Sequence, residues 1–128
     1  MPATAEVYES ESAVLLVMEV CRGGELFDRI VAEEHYSEKK AAHVVRAVAS
    51  ALHFIHQHNI VHRDLKPENI TWRAGPAQAD GTSRYSIKVI DWGLCAKVTT
   101  PGERLREFCG SPGFFAPEMI VAGVYDGR

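Results

Sequence analysis

The stretch HRDLKPEN, residues 62–69, sets two cations, two acids, a histidine, a proline and an asparagine between the short apolar runs at 60–61 and 70–72. Polar side chains at this density do not build a core. They mark a loop whose charges are held for use, and the reading of the chain works outward from it. On the N-terminal side, Ala41, Val44, Val45, Val48, Leu52 and Ile55 follow the i, i+3, i+4, i+7 spacing of an amphipathic helix. Ser37 is placed to cap that helix, although Lys40 at the third position denies it a capping box. On the C-terminal side, NITW (69–72) and YSIKVI (85–90) read as two strands joined by RAGPAQADGTSR (73–84), a loop or loosely closed hairpin. Pairing of those strands would carry a second polar cluster, Asp91-Trp92-Gly93, to the first.

Further out, AVLLVMEV (13–20) reads as a buried strand closed by CRGG, and GELFDRIVAEE (24–34) as a short helix. After Asp91 the chain is turn-rich until APEMIVAG (116–123), a short helix. With 128 residues, 46% hydrophobic and 24% charged, the chain makes one modest globular unit or part of a larger one. Its formal charge of −3 gives no global basic field, which argues against nucleic acid and anionic membrane as partners. Arg104, Arg106 and Arg128 are sparse charges rather than a patch. Cys21, Cys95 and Cys109 are odd in number and widely separated, fitting free thiols in a reducing cytoplasmic or nuclear setting. MPATAEVYES lacks the pattern of a signal peptide, and AVLLVM is too short to span a bilayer. His53, His56, His58 and His62 lack cysteine or carboxylate partners at zinc-ligand spacing and read as structural or surface residues.

HRDLKPEN, the DWG tripeptide at 91–93 and APE at 116–118, in that order and spacing, resemble the catalytic loop, metal-binding motif and end of the activation segment of eukaryotic protein kinases. The flanks VMEVCRGGELFDRI and LREFCGSPGFFAPE resemble the calcium/calmodulin-dependent group, with an activation segment similar to that of the phosphorylase kinase catalytic subunit. The resemblance implies an α/β (α+β) protein-kinase-like fold, mostly the large C-terminal lobe with the hinge, truncated at both ends. Residues 1–24 would be the end of the small lobe and the hinge, 25–90 the helices and catalytic loop, 91–118 the activation segment and 119–128 a truncated end.

It also implies roles. Asp64 would accept or orient the proton of a substrate hydroxyl and Lys66 would offset charge on the transferring phosphate. Asn69 and Asp91 would hold Mg²⁺, and Met18, Glu19, Cys21, Glu25 and Thr71 would surround the nucleotide of ATP. Glu25, Glu68, Ser111, Phe114 and Phe115 would meet a protein substrate with basic residues near its acceptor. Arg63 and Glu107 would pair to order the activation segment without phosphorylation, leaving control to a calcium sensor or autoinhibitory region outside these residues. Lysine at position 66 points to serine/threonine specificity. Two positions depart from the family pattern: Trp92 stands for its phenylalanine, and Thr71 for an apolar residue beneath adenine. Residues 1–18 contain no glycine and no lysine, whereas the family places a Gly-rich loop and a lysine ahead of the hinge. The expectation is therefore a fragment with negligible activity and weak ATP affinity by itself. The competing reading is a non-catalytic kinase-like interaction module.

Overall fold

The computed structural model describes residues 4–33, 36–77, 83–100 and 102–126. The tip of the 73–84 connection and Arg128 lie outside them.

The central scaffold is one long helix against one hairpin. Helix α2 (Glu38–Gln57) starts where the sequence puts its cap, with Ser37 Oγ accepting the Lys40 N–H at 3.3 Å. Val44 and Ile55 are buried, whereas Val45 is 66% exposed. The apolar stripe is thus narrower than the sequence reading, because each residue turns about 100° around the helix and Val45 follows Val44 off the packed face. Helix α1 (Leu26–Ala32) is a shorter element that buries Leu26. Strands β4 (Ile70–Ala77) and β5 (Ser83–Val89) pair antiparallel from Ile70↔Val89 to Ala77↔Ser83, with a register shift between Ala74 and Ala77. The hairpin reaches further than NITW and YSIKVI suggested. Gly75 and Pro76 fall in the register shift, and pairing resumes beyond them at Ala77↔Ser83. Leu26, Val44, Ile70 and Trp72 form the core, with Tyr36, Val48, Leu65 and Ile87 packed around them. Both ends of the 62–69 loop are thereby fixed to elements that share this core.

Strands β1 (Thr4–Glu9) and β2 (Val14–Met18) make a separate antiparallel pair. The strand at 14–18 forms as expected but is exposed along its whole length, so its expected burial is corrected. An aliphatic strand is buried only when something lies on its faces, and here β1 pairs with its edge rather than covering a face. Two-residue strands β3 (Ile60–Val61) and β6 (Ala96–Lys97) pair antiparallel and clamp the entry to the polar loop. Helix α3 (Pro117–Ala122) takes Pro117 in its first turn and ends at Gly123, whose φ of +61° suits a residue without a Cβ.

Candidate functional site

Strand β3 delivers the chain into residues 62–69 and a 3₁₀ turn, Pro67–Asn69, returns it to β4. Within the loop His62 is the most buried side chain, at 2% exposure. Its Nδ1 accepts the Asp64 N–H (3.3 Å), so its Nε2 carries the proton and donates to Ile90 O at 2.9 Å. The ring also meets Trp92 edge-on, centroids 4.7 Å apart, while Trp92 Nε1 donates to Val89 O at 3.1 Å. Ile90 N–H in turn donates to Asn69 O at 2.9 Å. These bonds stitch the loop to the segment that begins at Asp91.

Asp64 is 8% exposed. Its Oδ2 accepts from Asn69 Nδ2 and Lys66 Nζ, each at 3.2 Å, and Asn69 Nδ2 also donates to the Asp64 carbonyl at 2.8 Å. Its Oδ1 is buried with no hydrogen-bond partner. A buried carboxylate oxygen without a donor is costly. Burial pushes the carboxyl upward, but the Ser111 hydroxyl, the Lys66 ammonium and the Ser111 backbone outweigh it and hold Asp64 below the ordinary aspartate value. Lys66 Nζ also donates to Ser111 Oγ at 2.7 Å, tying the loop to the segment ahead of α3.

Asp91 is exposed and left-handed (φ 57°), and its Oδ1 accepts the Gly93 N–H at 3.3 Å. Among the described residues, no three His, Cys, Asp or Glu side chains converge on a metal site. One carboxylate from Asp91 and one amide oxygen from Asn69 suit Mg²⁺, which keeps waters and takes phosphate oxygens for its remaining positions. The donor set therefore fits a metal bound together with a nucleotide, and does not resemble an all-protein cage.

Arg63, within the loop, is also left-handed (φ 70°), a conformation that costs a non-glycine roughly 1 kcal/mol. Its side chain is directed by strong bonds: Nε donates to Leu94 O at 2.5 Å and Nη1 to Glu107 Oε2 at 2.6 Å. Burial works against the guanidinium charge, but Glu107 and Tyr125 overcome it and raise its pKa. Gly110 passes so close that a Cβ there would lie 2.5 Å from Arg63 O. Tyr125 is a participant that sequence reasoning missed. It is buried, its hydroxyl donates to Glu107 O at 2.9 Å, and its backbone pairs reciprocally with Leu105. No motif surrounds it, and only the fold brings it to Arg63.

The residues expected around a nucleotide are less gathered. Glu25 forms a backbone bridge with Thr71, which is 6% exposed and points its hydroxyl toward Lys88 O at 3.5 Å. Gly23 and Gly24 exchange backbone hydrogen bonds with Trp72 (2.7 and 3.0 Å), fixing the segment after β2 against β4. The Glu19 carboxylate pairs with Arg73 and lies 3.8 Å from Lys88. Met18 is half exposed and Cys21 is partly buried. Among the expected substrate contacts, Phe115 packs edge-on with Phe108 at 4.6 Å, Phe114 is 55% exposed, and Glu68 has one buried oxygen without a hydrogen bond.

The protein kinase domain matches residues 3–128 of this chain. Calcium-dependent protein kinase 14 of Arabidopsis thaliana is 47% identical over 115 residues, 90% of this chain and 20% of that protein. Calcium-dependent protein kinase 20 of Oryza sativa subsp. japonica has the same identity and coverage. A "Probable myosin light chain kinase" of Dictyostelium discoideum is 42% identical over 121 residues, 94% of this chain and 29% of that protein. The chain thus spans a fifth to somewhat under a third of the length of these relatives.

Proposed function

The chain belongs to the protein kinase family, in its calcium/calmodulin-dependent-like group, and on that premise we propose that its residues form the catalytic part of a serine/threonine kinase. The reaction is transfer of the γ-phosphoryl of ATP to a protein hydroxyl, with Mg²⁺ supplying charge neutralisation at the phosphates. The observation that carries the reading is the Asp64 carboxylate: one oxygen is held by Asn69 and Lys66, and the other is buried without a partner. Asp64 accepts a hydrogen bond from the substrate hydroxyl and orients it, Lys66 offsets phosphate charge, and Asn69 with Asp91 would hold the metal. Met18, Glu19, Cys21, Glu25 and Thr71 border the nucleotide. Glu25, Glu68, Ser111, Phe114 and Phe115 receive a protein segment with basic residues near its acceptor.

By itself the 128-residue chain turns over negligibly in this reading, because its residues 1–18 hold no Gly-rich phosphate loop and no lysine. In this reading the protein acts in the cytoplasm or nucleus, and a calcium sensor or autoinhibitory region outside these residues controls it. The decisive experiment replaces the matching segment of a calcium-dependent protein kinase with residues 3–128 and measures phosphorylation of a basic peptide. Activity that Asp64→Asn abolishes supports the reading. A folded chimera that binds the peptide without turnover supports the alternative, a non-catalytic kinase-like interaction module. Robust Mg²⁺-dependent activity of the 128-residue chain, lost in Asp64→Asn, would overturn the proposed inactivity.

A further inference from the structure

Away from the catalytic loop, α2 carries a one-sided cationic ridge. Lys39, His43 and Arg46 recur at i, i+4 and i+7, so they lie in line on one face, and all three are exposed. At its N-terminal end the ridge opens into a cleft of about 430 Å³ bordered by residues of α1, α2 and β4, within the roughly 300–1,000 Å³ of ligand clefts. One wall is the Trp72 ring with the Arg29 guanidinium 4.9 Å from its centroid. Arg29 is held there by donating from Nε (3.2 Å) and Nη2 (2.9 Å) to Gly23 O. On the other side Lys40 Nζ stands 5.8 Å over the Tyr36 ring and bonds Glu33 Oε2 at 2.5 Å. The cleft is therefore lined by aromatic rings and by two cations, Arg29 and Lys40, already held in place, so ligand binding would order few side chains. Among the described residues its lining has three Lys or Arg residues against one carboxylate, in a chain whose net charge is −3.

We propose that this ridge and cleft form a docking site for an acidic segment of a partner protein. Its carboxylates lie along Lys39, His43 and Arg46, and one of its side chains enters the cleft between Tyr36 and Trp72. Charge complementarity favours a peptide over a nucleic acid. The ridge runs over seven residue steps, on the order of 10 Å of helix, enough for a few carboxylates but short for a phosphate backbone. The site uses none of Asp64, Lys66, Asn69 or Asp91, so the proposal stands or falls separately from the proposed activity.

The test is fluorescence anisotropy of the purified chain with a fluorescein-labelled peptide, Asp-Glu-Asp-Tyr-Glu-Asp, at low and moderate salt. The expected result is saturable binding that weakens with salt, falls roughly tenfold or more in Lys39→Glu/Arg46→Glu, and falls less in Lys39→Gln/Arg46→Gln. Reversal of Arg104 and Arg106, distant in sequence, leaves it unchanged. Far-UV circular dichroism shows whether α2 persists in each variant, and the neutral double variant serves where the reversed one unfolds. No binding, equal binding of the Asn/Gln version of the peptide, or equal affinity in the ridge variants would overturn the proposal. Tighter binding of a single-stranded oligonucleotide, lost in the same ridge variants, would overturn it in favour of nucleic acid.

Discussion

Breaking the Arg63–Glu107 pair tests how the segment around Glu107 is fastened to the 62–69 loop. The bond is short, 2.6 Å, but its partners are unequal: the Arg63 side chain is 9% exposed and that of Glu107 70%. A hydrogen bond between charged groups contributes about 1.5–3 kcal/mol where solvent is excluded, and an exposed ion pair about 0.2–1 kcal/mol. Water around Glu107 screens the pair toward the lower range, and the buried, pre-aimed guanidinium pulls it back up. A coupling of about 1 kcal/mol is expected. Glu107→Gln leaves Arg63 its bond to Leu94 O, so the buried guanidinium is not orphaned and that single loss stays near 1 kcal/mol. Arg63→Met costs more, because Leu94 O loses its donor as well. The assay is a double-mutant cycle in urea: Glu107→Gln, Arg63→Met and both, at low and high salt. Double-variant stability close to that of Arg63→Met alone is the expected result. Strict additivity, with coupling below about 0.3 kcal/mol, would refute the reasoning. In the chimeric kinase the same cycle on activity asks whether the contact replaces activation-loop phosphorylation, since a carboxylate supplies one charge where phosphate supplies about −1.5 to −2.

Other positions give independent checks. A Cβ at Gly23 would lie 2.3 Å from Trp72 O, so Gly23→Ala should destabilise the chain by about 1–3 kcal/mol, read by urea unfolding. Glu103 Oε2 accepts from the N–H and hydroxyl of both Thr99 and Thr100 at 2.7–3.2 Å, and the Thr99 backbone bond leads the effects that hold its pKa below the ordinary glutamate value. A depressed carboxylate stabilises the turn above its unfolded pKa and stops doing so as pH falls through the lower folded value. The protection of the Thr99 and Thr100 amides, relative to their intrinsic exchange rates, should therefore fall in acid, and Glu103→Gln should flatten that response. In the chimeric kinase, Asp91→Asn should weaken Mg·nucleotide binding as well as turnover, whereas Asp64→Asn should remove turnover with less effect on binding. Equal small losses in both would mark the motifs as relics.

The long helix and the hairpin were legible because their signals are local: a 3.6-residue apolar period behind a serine cap, and two runs of strand formers around turn residues. The polar loop was legible from eight consecutive residues. Burial was less so. Val14–Met18 carries the pattern of an interior strand, yet exposure depends on what lies across its faces, which a window of sequence does not contain. Tyr125 escaped for the same reason. Its contacts reach back 18 residues to Glu107 and further to Arg63, and nothing in VYDG distinguishes it from a surface tyrosine. His62 stood within the recognised motif, but its work, joining Asp64 N–H to Ile90 O, became visible only once β4 and β5 had paired.

The environment of Asp64 narrows what it can do chemically. A general base works best with a pKa near the operating pH, and burial alone would move an aspartate that way. Here burial is overruled by Ser111 and Lys66, so the carboxylate stays ionised at neutral pH and is a weak base. On the proposed reading, strong proton abstraction from an alcohol is therefore not its contribution. It would act as a fixed acceptor: Oδ2 is occupied by Asn69 and Lys66, which leaves Oδ1 as the atom to receive a hydroxyl and set its angle of attack. In phosphoryl transfer through a loose transition state the proton leaves late, so orientation matters more than basicity. Lys66→Met should then raise the Asp64 pKa by removing a neighbouring cation, yet lower turnover in the chimeric kinase, because the carboxylate loses its orientation and its link to Ser111 along with the charge. Increased turnover in Lys66→Met, with the acidic limb of the pH–rate profile moved upward, would show instead that basicity limits the reaction.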